Sequence, residues 1–235
     1  MIVARGGCLI RECLWRWKLE NLKRALRRPL QPLVRGLDAL GCRPDYLTLA
    51  GVLAALLSGI ALASGNRTLG VFWLLVSLLC DLLDGDLARR SGSGQSRFGA
   101  FLDSTADRIS ETFFLGGLLI GRYELLSLTW GWILLWVLAL SGGYMVSYAR
   151  ARAEGLGLAC SVGWGDRASR MLVLILLLIF GYRASGWFLL AMALLAWFTV
   201  YQRVSLVWRE TRTPPASAAA SPGATAGTGE GGEAV

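Results

Sequence analysis

The chain contains no histidine. That absence removes a His general base, a His metal ligand and any Ser-His-Asp triad. Charge is also scarce: 17% of residues are charged, where a soluble domain carries about a quarter. The five cysteines, Cys8, Cys13, Cys42, Cys80 and Cys160, follow neither zinc-ligand nor disulfide-framework spacing and read as reduced packing residues. Acid, base and metal-ligand roles therefore fall to carboxylates.

What is abundant is apolar residue, 54% of the 235, with a mean hydropathy of +0.51. It is gathered in runs of roughly 20, the length that crosses a bilayer. Disorder and a disulfide-rich secreted scaffold both fit poorly. The expected class is an all-α integral membrane protein. The opening MIVARGG is not expected to act as a secretory signal, since no adequate apolar stretch follows its first arginine.

Residues 9–35 read as a helix on the membrane surface. Trp15, Leu19, Leu22 and Leu26 recur at spacings of four and three, with Arg16, Lys23, Arg24 and Arg27 mostly opposite. The alternative is a helix packed on another part of the protein. Six spans are expected near 46–64, 68–89, 98–120, 125–150, 167–182 and 184–206. Breaks are expected at Gly65-Asn66, RSGSGQSR, GRYE, the Gly-rich stretch 154–165 and Tyr182-Arg183. Past Thr211 the chain is Pro, Ala, Gly, Ser and Thr without apolar period, an expected disordered tail. The expected organisation is a juxtamembrane helix over 1–40, a six-helix domain over 41–208 and a tail over 209–235.

With both termini inside, only Arg67, Arg122 and Arg183 of the 24 Lys/Arg residues lie outside, so the positive-inside rule selects that topology. The net charge of +8 then faces anionic lipid headgroups. Nucleic acid is not an expected partner, because no nucleic-acid-binding module accompanies the charge.

The informative stretch is DLLDGDLARRSGSGQSRFGAFLDSTADR, residues 81–108. On a helix, Asp81, Asp84, Gly85 and Ala88 share one face at i, i+3, i+4 and i+7. Two carboxylates are followed there by two residues with almost no side chain, so a bulky group can approach the backbone. Asp86 points elsewhere and reads as an ordinary polar residue; Arg89 is a fixed cation at the helix end. On the next helix Gly99, Asp103 and Asp107 again share a face. A short loop should make the two helices antiparallel neighbours with their acidic faces meeting. Four converging carboxylates need cations among them, and all-oxygen ligands select Mg²⁺ or Mn²⁺ over zinc. Two such ions beside an arginine and a glycine-smoothed surface suit a bound diphosphate and transfer of a phosphoryl-type group. Taken singly, an Asp at a span end is more often a helix terminus in the headgroup region, and a Gly is packing. The combined pattern is not explained that way.

The pattern Asp-x2-Asp-Gly-x2-Ala-Arg-x9-Gly-x3-Asp-x3-Asp resembles the signature of the CDP-alcohol phosphatidyltransferases. These are six-helix membrane enzymes that move a phosphatidyl group from a CDP-linked lipid to an alcohol and release CMP. The resemblance covers about residues 40–208, with nine residues between Arg89 and Gly99 where the family usually has eight or fewer. It implies that Asp81, Asp84, Asp103 and Asp107 bind metal, and that Asp107 is also the general base. Gly85, Ala88, Arg89 and Ser96 would hold the CDP moiety. Pro44-Asp45-Tyr46-Leu47-Thr48 resembles the family's Pro-Asn/Asp-x-x-Thr stretch, which makes Asp45 and Thr48 nucleotide contacts. Asp45 could equally be a helix N-cap.

Residues 147–170, SYARARAEGLGLACSVGWGDRASR, set Arg150, Arg152, Arg167 and Arg170 at the inner ends of two spans. They could be purely topogenic. The stretch is also similar to the S/T-Y-x-K-A-R-A-E … G-x-x-E-R-x-E-R pattern of the phosphatidylinositol phosphate synthase branch, with Arg150 for Lys, and Asp166 and Ser169 for two glutamates. That similarity implies an acceptor-phosphate clamp of Arg150, Arg170 and Arg203, which the bidentate fork of arginine suits. The reading is transfer from CDP-diacylglycerol to a phosphorylated alcohol, inositol 1-phosphate first and glycerol 3-phosphate second, by a homodimer in the inner (plasma) membrane with its site in the cytoplasm. A Mg²⁺-dependent membrane prenyltransferase and a cation transporter are the rival classes. The Gly85/Ala88-Arg89 spacing speaks against the first. The gathering of acids at one interface speaks against the second.

Overall fold

The structure, a computed structural model, describes residues 28–90, 96–125, 130–181 and 185–212. Among them are a 3-10 turn, Arg28–Leu30, and seven α-helices. These are α1 (Gln31–Ala39), α2 (Pro44–Ala63), α3 (Arg67–Arg90), α4 (Arg97–Leu125), α5 (Trp130–Gly155), α6 (Arg167–Phe180) and α7 (Ser185–Arg212). The all-helical expectation is met.

Among the described residues, four helices are long and apolar enough to cross a membrane: Pro44–Ala63, Arg67–Arg90, Trp130–Gly155 and Gly186–Arg212. The six expected spans are thus met for four. The first half of α4 carries Arg97, Asp103, Asp107, Arg108 and Glu111. The 14 residues of α6 reach about 21 Å at 1.5 Å per residue, short of a hydrocarbon core about 30 Å thick.

Most of the expected surface helix, residues 9–27, lies outside the described residues, as do 91–95 of the first loop, Tyr182-Arg183 and the tail from 213. In the described part, Val34 of α1 is buried in a cluster with Leu83 and Leu87 of α3, joined by Leu30, Leu37, Cys42 and Leu47. Arg90 Nε donates to Asp38 Oδ2 at 3.1 Å. This stretch therefore packs on the protein. The expected turn at GRYE is corrected: α4 continues to Leu125. Gly121 serves packing there, since a Cβ on it would strike the Leu62 carbonyl oxygen.

Helix α2 packs extensively on both α3 and α4, while α3 and α4 touch little. The expectation of direct neighbours is corrected: α2 mediates between them. Asp45 lies beside Gly99, Gly59 beside Phe113 and Gly117, and Leu62 beside Gly121. Helices α2 and α4 therefore run parallel, with α3 reversed. A Cβ on Gly117 would collide with the Gly59 backbone, so two small residues allow the helices to meet backbone to backbone. Helices α5 and α7 also run parallel: Trp132 lies against Gly186, Gly142 against Ala196, and Trp197 Nε1 donates to the Leu138 carbonyl at 3.0 Å.

One apolar core joins the bundle, drawing Ala55, Leu62, Leu74, Phe114, Leu118, Ala139, Leu174, Leu177, Met192 and Ala193 from six helices. Side chains of α2, α3, α5 and α7 that face away from it, such as Leu53, Phe72, Leu134 and Leu194, are exposed, as a helix surface that meets lipid requires. The order of the helices gathers the N-termini of α2, α4 and α6 with the C-termini of α3, α5 and α7 at one end. Every acidic residue singled out in the sequence sits at that end.

Candidate active site

Pro44 opens α2 at its first position, where a missing N–H costs nothing. The N-cap is Arg43, in extended backbone and without a side-chain cap bond. Asp45 is one residue further in, so the N-cap alternative for Asp45 is not realised. At the start of α4, Ser96 Oγ accepts from the Gly99 N–H at 2.8 Å, one of the orphan donors of a helix start. Ser96, expected as a CDP contact, is thus seen to position the start of α4.

Between these helix ends lies a pocket of about 550 Å³. It is lined by Arg43, Pro44, Asp45, Thr48, Asp81, Leu82, Asp84, Gly85, Ala88, Arg89, Ser96, Gly99, Asp103, Asp107 and Arg167. Each of the ten residues expected to bind metal or the CDP moiety is among them. A Cβ on Gly85 would find its nearest neighbour, Arg89 Nη2, at 3.4 Å; glycine there keeps the pocket floor open rather than relieving a clash. Asp86, read as an ordinary polar residue, is buried and forms an ion pair with Arg89.

One carboxylate oxygen from each of Asp81, Asp103 and Asp107 lies within 4.8 Å of the other two. Three carboxylate oxygens this close together form an all-oxygen donor set, the kind a hard divalent cation such as Mg²⁺ or Mn²⁺ takes. Asp84 is held differently. It is buried, and its Oδ2 accepts from Thr48 Oγ1 at 2.7 Å. That bond links α2 to α3 and fixes one side of the site.

Arg167 was noticed in the sequence only as a basic residue at a span end. In the structure its Nη1 donates to Asp81 Oδ1 at 2.7 Å and forms an ion pair with Asp107 as well. Arg108 lies farther off, its Nη1 3.9 Å from Asp107 Oδ2. The first turn of α6 thus places a cation between carboxylates of α3 and α4. Asp166 caps that turn, its Oδ1 accepting from the Ser169 N–H at 3.0 Å and from its hydroxyl at 2.6 Å. These are the two residues that replace glutamates of the resembled pattern.

The three expected acceptor arginines share a neighbourhood, since the charges of Arg150 and Arg170 both bear on Arg203. Each has protein partners, and none lines the pocket. Arg150 is exposed and its Nε donates to Glu154 Oε1 at 2.7 Å. Arg203 donates from Nε to the Val162 carbonyl at 2.9 Å and from Nη1 to that of Val146. Arg170, 2% exposed, donates to both Glu111 carboxylate oxygens and to the Gly165 carbonyl. Of the five N–H groups of a guanidinium, these bonds use three on Arg170 and two on Arg203. Glu111 was missed in the sequence. Its signal was there: it continues the Asp103-Asp107 spacing by another four residues, deep in an apolar helix.

Comparison with known proteins follows the same residues. A family model described as CDP-alcohol phosphatidyltransferase matches residues 42–202. The archaetidylinositol phosphate synthase of Methanothermobacter thermautotrophicus is 36% identical over 198 residues, 83% of this chain and 96% of the relative. Among solved structures, the Mycobacterium tuberculosis phosphatidylinositol phosphate synthase with CDP-DAG bound matches with a TM-score of 0.69 at 29% identity, over 79% of this chain and 94% of that one. The same enzyme in complex with manganese and citrate matches with a TM-score of 0.67 at 29% identity, over 85% and 95%.

Proposed function

Because the chain belongs to the CDP-alcohol phosphatidyltransferase family, we propose that it transfers a phosphatidyl group from CDP-diacylglycerol to inositol 1-phosphate and releases CMP. The observation that carries this reading is the junction of Asp81, Asp103 and Asp107 beside the open floor of Gly85 and Ala88 in one pocket. Family membership removes the prenyltransferase and transporter readings. Glycerol 3-phosphate gains no support, since the named relatives above are inositol phosphate synthases.

Asp81, Asp84, Asp103 and Asp107 would hold two divalent ions, Mg²⁺ or Mn²⁺. Such ions, when bound, offset the diphosphate charge and ready it for displacement. Gly85 and Ala88 admit the nucleotide to the helix backbone. Asp45, Thr48, Arg89 and Ser96 border it, with Thr48 also fixing Asp84. Asp107 takes the proton of the acceptor hydroxyl as its oxygen bonds to the β-phosphorus. The bond from that phosphorus to the bridging oxygen breaks, and CMP leaves with the electron pair. Arg150, Arg170 and Arg203 supply the positive field for the acceptor's phosphate, the latter two through N–H groups outside their structural bonds.

The catalytic unit is residues 41–208. In this reading α4 and α6 complete the six membrane helices, α6 reaching only part of the way through the hydrocarbon core, and their charged ends stay within the site. The protein is a homodimer of the inner (plasma) membrane with both termini and the site in the cytoplasm. The basic residues at the site end support that orientation. A diether donor is the second reading, favoured by the archaetidylinositol phosphate synthase at 36% identity.

The test is CMP release by purified protein with Mg²⁺, offering diacyl and diether CDP-lipids against inositol 1-phosphate, glycerol 3-phosphate, inositol and serine. Release with inositol 1-phosphate alone is the expected result. Release with glycerol 3-phosphate alone would overturn the acceptor assignment, and silence with every pair would overturn the activity.

A further inference from the structure

Two of the three clustered carboxylates already hold a cation of the chain's own, and its position is not left to chance. Arg167 binds Asp81 on α3 and Asp107 on α4 at once, and its side chain is 22% exposed. Three residues on, Arg170 is clasped by Glu111 of α4 and by the Gly165 carbonyl. Gly143 of α5 lets that pair pass, because a Cβ on it would lie 2.8 Å from Glu111 Oε1 and 3.2 Å from Arg170 Nε. Gly165 is held in turn, its N–H donating to Thr199 Oγ1 of α7 at 2.7 Å. The first turn of α6 is therefore anchored to α4 and α7, with Arg167 one helical turn from the anchor.

We infer that Arg167 is a resident counter-ion that competes with the divalent cation for Asp81 and Asp107, and so sets the metal affinity of the site. The inference rests on the metal reading made above. A cation binding these carboxylates competes with the guanidinium for their negative charge, so the measured affinity is the intrinsic one reduced by the weakening of two ion pairs. Without metal, Arg167 suppresses repulsion among three half-buried carboxylates. With metal, that service is redundant. Arg167 is thus a positioning residue whose removal should destabilise the metal-free state and leave the loaded state nearly unchanged.

The test titrates Mn²⁺ into detergent-purified full-length protein, by calorimetry and by the electron paramagnetic resonance of free Mn²⁺. Arg167→Gln should bind Mn²⁺ roughly tenfold more tightly than wild type, the scale of an opposite charge acting on a carboxylate. Its metal-free form should unfold at lower temperature than wild type, and its Mn²⁺-loaded form at nearly the same temperature. Arg167→Lys, which keeps the charge on a shorter side chain, should lie between and covers the case of a poorly folding Gln variant. Affinity unchanged or weakened in both variants would overturn the inference while leaving the metal site standing. Wild-type protein with no Mn²⁺ binding sensitive to Asp81→Asn would overturn the metal reading itself, and this inference with it.

Discussion

Glu111 grips Arg170 with both carboxylate oxygens, Oε1 accepting from Nε at 2.7 Å and Oε2 from Nη2 at 2.8 Å. Both side chains are almost wholly buried, at 4% and 2% exposure. A pair this deep is costly to break from one side, because the survivor is left as an unmatched buried charge.

Glu111→Ala or Arg170→Ala should each lose roughly 3–5 kcal/mol of stability. The double variant should cost little more than either single one, since the second truncation removes the charge that the first left stranded. Thermal unfolding of the three proteins in the same detergent checks this. Additive losses would mean that the two side chains act independently.

Asp107→Asn keeps the shape of the side chain and removes its basicity. Turnover should fall at least about 10²-fold, the lower scale of general base catalysis. Binding of CDP should remain measurable, because Asp81, Asp84 and Asp103 are intact. Single-turnover CMP release together with a CDP titration separates the two effects.

Gly85→Ala tests whether the open pocket floor belongs to the ligand or to the fold. The new methyl group meets nothing closer than Arg89 Nη2 at 3.4 Å, so the unfolding temperature should be unchanged or slightly raised by the better helix former. The KM for the CDP-lipid should rise severalfold. A fall in stability with KM unchanged would make Gly85 a packing residue only.

Gly117→Ala and Gly116→Ala form a matched pair on α4. A Cβ at position 117 strikes the Gly59 backbone, whereas one at 116 has nothing within 4 Å. The first should destabilise by roughly 1–3 kcal/mol through forced separation of α2 and α4. The second should be neutral or stabilising. Equal behaviour of the two in thermal unfolding would contradict the close approach of these helices.

The helical spacing in the sequence was enough to put Asp81, Asp84, Gly85 and Ala88 on one face, and Asp103 with Asp107 on another, because that periodicity is a local property of each helix. It was not enough to say what stands between the faces. Neighbours in sequence need not be neighbours in space, and the Gly59–Gly117 contact that seats α2 against α4 pairs residues from separate helices. Arg167 was unreadable for a similar reason. It reaches Asp81 across 86 positions of chain, and only the docking of α6 brings it there. The acceptor arginines were found as a group by resemblance, but their structural partners could not be: two of the carbonyls that hold Arg203 and Arg170, those of Val162 and Gly165, lie in the irregular loop between α5 and α6. The C-terminal end of α4 was misjudged because a glycine can signal a turn or a close contact, and only the neighbour across the interface, Leu62, decides which.

The gathering of six helix ends at one end of the bundle, four of them around the pocket, makes the proposed enzyme one-sided. Donor, acceptor, leaving nucleotide and product all meet at a single surface, and no polar path through the bundle is needed. A lipid keeps its tails in the leaflet where it started while its headgroup is exchanged. The lipid product therefore appears in that leaflet alone, and its passage to the other leaflet is a task for separate flipping machinery.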